Sequence, residues 1–363
     1  MRPFGPALTL LGALAIATPH ADAQHLPTGP AVEAALRDTT LTRQIPGRWI
    51  AARPSANGKL TPAERVAMQA TLTRIAELWR ASLGALPGVE ADESQNAEWF
   101  GTAGGAHVAG GDVKLLLWPY SIRNGKVTMY DNAARALFWV NQSVCTGEPA
   151  GDRAFGFILA PRLTGHFHGF PMLDSTIVIT HRTQPPCIPV TRGEFLQAYV
   201  TKLAADRARD DSVWNADAAK REKDLADVAR TNPVLVASAR AEGTRMRQTM
   251  DSARTAIQRV FGDALTRMSP AERASPAYLS GGQCGGGETD PSSCFVDASA
   301  PGARAVVREN AAFFDTTRPA DAQLITLSVA EVINGERSAP YPTSVLEAAL
   351  GRLDWAALSA LVR

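Results

Sequence analysis

The stretch Asp174–Tyr199, DSTIVITHRTQPPCIPVTRGEFLQAY, decides how the chain divides. Thr176–Thr180 is a short β-branched apolar run, the composition of a buried strand. Pro185, Pro186 and Pro189 then deny both a helix interior and a central strand, which predicts a loop. Thr191 and Glu194 form a capping box: the hydroxyl accepts an N–H of the first turn and the carboxylate reaches back to the cap. A sheet ends and a long helical segment begins within these residues.

Downstream, Thr191–Arg230 is nearly free of Gly and Pro after its first turn, with an apolar stripe at Leu196, Tyr199, Val200 and Leu203. Asn232-Pro233 ends that run and can start another helix. Met246, Met250, Ala253, Ile257 and Val260 then recur at spacings of four and three, the pattern of a coiled-coil seam. Two such helices joined by a tight break predict an antiparallel hairpin with legs of about 50 Å at 1.5 Å per residue. Asp210-Asp211 is the expected interruption of the first leg. The second leg carries six Arg and three acids from Val234 to Arg267, a solvated face and too small an excess for nucleic acid.

Upstream, Thr61-Pro62-Ala63-Glu64 starts a helix that runs to about Leu83, with Val66, Met68, Leu72, Ile75, Leu78 and Trp79 at helical spacing. Gly104, Gly105, Gly110 and Gly111 read as a loop before a strand at Val113–Tyr120. Asn124-Gly125 is a hairpin turn, and Lys126–Tyr130, Ala134–Asn141 and Ala154–Ala160 read as further strands. No helix separates them, so the sheet is expected to be antiparallel. Ala305–Val307 and Ala322–Val329 are expected to return to it. Ser344 and Glu347 cap a C-terminal helix that Gly351 or Asp354 divides.

The expected fold is α+β: an antiparallel sheet covered by helices, with an inserted long antiparallel helical hairpin. The segments are a signal peptide over 1–23, an extended segment over 24–60 with one short helix around Ala31–Arg37, the first part of the core over 61–190, the hairpin over 191–268, and the rest of the core over 269–363.

Composition bounds the partners. Of 363 residues, 45% are hydrophobic and 20% charged, and 37 basic against 36 acidic side chains leave a net charge of +1. That balance gives no reason to expect nucleic acid as a partner. Arg2, the apolar run Leu8–Ala17 and Ala21-Asp22-Ala23 have the order of a secretory signal cleaved before Gln24, which predicts a secreted or periplasmic protein. No later run is long and apolar enough to span a bilayer. In an oxidising compartment the even cysteine count predicts two disulfides, each contributing about 2–4 kcal/mol; of the three possible connectivities, Cys284–Cys294, closing a short Gly-rich loop, with Cys145–Cys187, tying the segment after a strand to the proline loop, is favoured. A zinc site made of the four cysteines lacks any C-x₂-C pair.

His166-Phe167-His168 is the sharpest chemical feature. On a strand its two imidazoles would share one face about 7 Å apart, a spacing that zinc sites use. His107, in the glycine-rich stretch, is the candidate third ligand; His181 falls on the wrong face or too far along. The competing reading is two polar side chains on an exposed sheet face beside a buried Phe167. Leu279–Gln283 spells LSGGQ, the signature string of ATP-binding-cassette ATPases. However, Cys284–Gly287 cannot continue it as a helix, and the chain has no phosphate loop. No G-x-S-x-G elbow occurs, and no catalytic set is complete. Asn141-Gln142-Ser143 has the form of a glycosylation acceptor.

Three classes of function follow. The first is a non-enzymatic exported protein, without a cofactor, whose arm or sheet face binds a protein partner or an envelope component. The second is a metal-dependent hydrolase with zinc at His166 and His168. The third is a structural or accessory envelope protein.

Overall fold

The computed structural model describes residues 29–51, 54–129, 133–151, 155–281, 291–329 and 340–363. The expected signal peptide, Cys284 and the end of the LSGGQ string lie outside them. The fold is α+β, built on two sheets rather than one.

The larger sheet has ten strands. They are β1 (Arg48–Ala51), β2 (Ser55–Ala56), β3 (Val89–Gly101), β4 (His107–Arg123), β5 (Lys126–Met129), β6 (Ala134–Val140), β8 (Leu163–Phe167), β9 (Phe170–Leu173), β10 (Thr176–Ile179) and β14 (Ile325–Ser328). The order is β1-β3-β4-β6-β14-β10-β9-β8, with β2 on β3 and β5 on β4. It is antiparallel except at one edge, where β1 and β2 run parallel to β3. The N-terminal segment contains the expected short helix, α1 (Pro30–Arg37), but supplies two strands where extended chain was expected.

One face of this sheet is covered by α2 (Pro62–Leu83), α7 (Pro340–Arg352) and α8 (Trp355–Ser359). The Thr61–Glu64 capping box starts α2 as expected. Met68, Leu72, Ile75 and Trp79 are buried against Val113, Leu115, Phe138 and Leu327 of the sheet, while Val66 of the expected stripe is exposed. Trp79 meets Phe138 edge to face at 5.3 Å. Asp354 caps α8 and so divides the C-terminal helical segment, which begins at Pro340, earlier than Ser344.

The sequence pattern missed β3 because its buried face is partly ionic. Glu93 is 1% exposed and accepts from Arg80 Nε at 2.9 Å and from the Arg80 terminal nitrogen at 2.6 Å. Gln95 Nε2 also donates to Glu93 at 2.9 Å. Of the expected glycine loop, Gly104 and Gly105 form the turn between β3 and β4, with Gly105 at φ of 79°, while Gly110 and Gly111 lie in β4. A Cβ at Gly110 would lie 2.3 Å from the Val140 carbonyl oxygen and 2.5 Å from the Phe100 ring, so these positions need glycine for close packing rather than for a turn.

The smaller sheet consists of β11 (Cys187–Pro189), β13 (Arg304–Glu309) and β12 (Tyr278–Leu279), with β7 (Ile158–Leu159) on β13. Residues 305–307 therefore join this sheet and not the large one, and only β14 returns as expected. The proline segment loops through Pro185 and Pro186 as expected, and only its end, Cys187–Pro189, is a short strand. It lies at the sheet edge, where a missing N–H costs little. From β11 the chain enters α3 (Arg192–Ala216), continues as α4 (Ala218–Thr231), and returns as α5 (Pro233–Arg267) before the short α6 (Pro270–Ala274) and β12. The hairpin is thus inserted into the small sheet.

Asn141 joins β6 to the late strand. It is 1% exposed, with φ of 57°. Its Nδ2 donates to the carbonyls of Ala109 and Asp321, both at 2.7 Å, and its Oδ1 accepts from the N–H groups of Gln323 at 2.7 Å and Leu324 at 3.1 Å. A side chain with both ends committed in the interior is not a glycan acceptor in the folded protein. Asn141→Ala leaves these buried groups unpaired and places alanine at positive φ. The expected loss is on the order of 3–5 kcal/mol, read by urea denaturation. A loss near that of a surface substitution would contradict this role.

Candidate functional site

The histidines proposed as metal ligands occupy separate settings. His166 is exposed on β8, opposite Pro171. β8 ends at Phe167, and His168 sits in the following turn with φ of 50°. Strand alternation therefore does not extend to it, and its ring stacks on Trp355 at 5.2 Å. His107 begins β4, with β6, β14, β10 and β9 between it and β8. Its Nε2 contacts Glu64 Oε1 at 2.8 Å and its ring stacks on Trp99 at 5.5 Å. His181 follows β10 and contacts the Ser359 carbonyl at 3.1 Å. No group of three or more His, Cys, Asp or Glu side chains suited to a metal ion occurs among the described residues.

Two features stand out instead. The first is the arm formed by α3, α4 and α5. Its base is aromatic: Phe195 and Phe261 are buried, and Tyr199 stacks on Phe261 at 4.7 Å. Beyond that base its side chains are half-buried or exposed, with none buried between Leu196 and Phe261. Of the expected seam, Met246, Met250 and Ala253 are exposed, while Ile257 packs on the aromatic base and Val260 is half-buried. The inward positions of α5 hold arginines, because the opposite leg presents carboxylates there. Arg247 pairs with Asp211, and Arg254 with Asp210 at 2.5 Å. Nearer the tip, Arg240 pairs with Glu222 at 2.6 Å. Trp214 lies between Arg221, 3.9 Å above its ring, and Arg247 at 5.5 Å. Asp210-Asp211 thus joins the two legs rather than interrupting one, and the break in the first leg falls at Asp217. An open depression of about 720 Å³ lies at the base, with Phe155 and Phe157 in its lining and the Glu194–Arg308 pair (3.2 Å) at its edge.

The second feature is a trough of about 360 Å³ on the sheet face opposite α2. Register places Trp139, Thr326 and Val178 side by side across β6, β14 and β10. The next row along the strands is Leu137, Ser328, Thr176 and Leu173. Alternate residues of the same strands, Phe138, Leu327 and Ile177, point into the core. Gln142, Val144 and Thr146, just after β6, form part of the wall. The Cys145–Cys187 disulfide ties that segment to β11 and holds it in place. Cys294 is also disulfide-bonded, while its expected partner Cys284 lies outside the described residues.

The Trp139 row continues outward through Asp112 on β4, Asn96 on β3 and Ser55 on β2. Ser55 Oγ donates to Asn96 Oδ1 at 2.9 Å, and Asn96 also bonds Glu98. Burial, then the nearby Glu98 carboxylate, pushes the Asp112 carboxyl up to about 6; Lys114 and the hydrogen bond from Asn96 act the other way.

No family model, curated protein or solved structure matches the chain.

The raised Asp112 value has a definite sign. Folding strengthens the hold on its proton, so this group favours the folded state most below its ordinary value of 3.8. That contribution is lost as pH rises through about 6. Asp112→Asn removes the need to ionise in place. At pH 7 the variant should be more stable than the parent by about 1–3 kcal/mol, with the difference vanishing below about pH 4. Urea denaturation at the two pH values checks this, and a pH-independent difference would contradict it.

Proposed function

We propose that this chain is an exported, non-enzymatic binding protein that engages a protein partner or an envelope component through its helical arm. One observation carries the reading. α5 has 35 residues, about 52 Å at 1.5 Å per residue, and buries no side chain before Phe261. A helix that buries no side chain over most of its length yet is braced there by ion pairs suits contact at a distance. Its turn presents Val234 and Leu235, 81% and 52% exposed, next to Asn232-Pro233. The Cys145–Cys187 disulfide fits the oxidising compartment that export implies, and no helix among the described residues is long and apolar enough to cross a membrane.

Replacing Asp211–Thr249 by a short Gly/Ser joint should leave thermal unfolding of the body unchanged, because the contacts at Phe195, Tyr199 and Phe261 remain. A photo-cross-linker at Leu235 should give a discrete adduct in native envelopes, while one at Lys126, on the body, should give none. Adducts at Lys126 alone would overturn the assignment to the arm. Tip amides near Asn232 should also exchange hydrogen orders of magnitude faster than those of Ile177–Ile179. Equal protection would mean that the arm is stabilised by more than its ion pairs.

A further inference from the structure

The trough over β6, β14 and β10 has a property that packing does not account for. Ser143 and Asp174 of its lining accept from the backbone N–H groups of Cys145 and Arg162, but five other polar side chains are not spent on the protein. The side chains of Trp139, Gln142, Thr176, Thr326 and Ser328 make no hydrogen bond to another described residue. Thr326 is the sharpest case: it is 5% exposed on a central strand, and its hydroxyl opens into the trough. Valine would serve the packing there, so the hydroxyl is left facing only the trough. The five groups come from three strands and the segment after β6. A disulfide-held wall fixes one side, so their convergence does not depend on a mobile loop.

The chemistry of the lining selects a ligand class. It has an indole, hydroxyls that both donate and accept, and an amide that does both. Asp174 is the one charged residue among those lining it, and no lysine or arginine is present. A phosphate, a carboxylate or a nucleic-acid backbone would find no cation there. An alkyl chain would desolvate the hydroxyls without replacing their bonds to water. A sugar ring matches on both counts. Its C–H face packs on an indole, and its rim of hydroxyls donates and accepts in equal measure. The polar row through Asp112, Asn96 and Ser55 continues the track across the sheet, and a row crossing strands about 4.8 Å apart suits a chain of rings rather than a single one.

We infer that the trough is a binding site for a neutral oligosaccharide, stacked on Trp139 and hydrogen-bonded by Thr326, Ser328, Thr176 and Gln142. The site is independent of the arm.

The test is a glycan array carrying neutral and acidic oligosaccharides, probed with the labelled full-length protein and followed by titration of the best neutral hit. The titration monitors the indole N–H resonance of Trp139, assigned by its loss in Trp139→Phe. A saturable shift of that resonance at one ligand per chain is expected. Thr326→Val, which keeps the shape and removes the hydroxyl, should weaken binding at least tenfold with no loss of stability. The arm-deleted protein should bind as the parent does, so failure here is distinct from failure of the arm assignment. No neutral hit, preference for acidic chains, or binding unchanged in Thr326→Val would each overturn the inference.

Discussion

The structure depends on how one buried amide is satisfied. β14 arrives late in the chain and must enter the middle of the large sheet, between β6 and β10. The Asn141 side chain secures that entry. It reaches Asp321, 180 residues away in sequence, and holds the backbone that leads into β14. A strand inserted there with a one-residue slip would turn Ile325 and Leu327 out of the core and Thr326 and Ser328 into it. Core and trough are therefore set by the same register. The left-handed backbone at Asn141 is tolerated because asparagine accepts it better than most side chains and because four hydrogen bonds determine the position.

Elements whose cause is local were legible in the sequence. The capping boxes at Thr61 and Thr191 both form, and the Asn124-Gly125 turn joins β4 to β5 with both residues at positive φ. The Cys145–Cys187 pairing follows from chain order and compartment. What escaped was non-local. β3 carries Glu90, Glu93 and Gln95 in buried positions, so hydrophobic alternation is absent; Arg48 and Arg80, from elsewhere in the chain, neutralise the two acids. In the arm a plausible Met seam lost to Arg–Asp pairing, because the residues opposite it were acidic.

The candidate site was harder to see for a related reason. The histidine pair drew attention because metal ligands are rare residue types at a recognisable spacing. The trough is built of serine, threonine, glutamine and one tryptophan, residues that carry no signal singly. Only the pairing of β6 with β14 and of β14 with β10 brings them together. Thr326 in an otherwise apolar run, Leu324–Leu327, was the one available clue: a hydroxyl at a strand position buried on both sides.

The Cys145–Cys187 bond also has a mechanical meaning. The arm is a lever of roughly fifty ångströms whose fulcrum is the aromatic base on the small sheet. A sideways load at its tip is transmitted down α3 into β11, which is covalently joined to the segment leaving β6. Beyond the buried base at Phe195 and Leu196, that covalent route leads to Gln142–Thr146, the wall of the trough. The root of the arm and the rim of the trough are thereby joined by main chain and one disulfide, a connection that does not rest on hydrogen bonds.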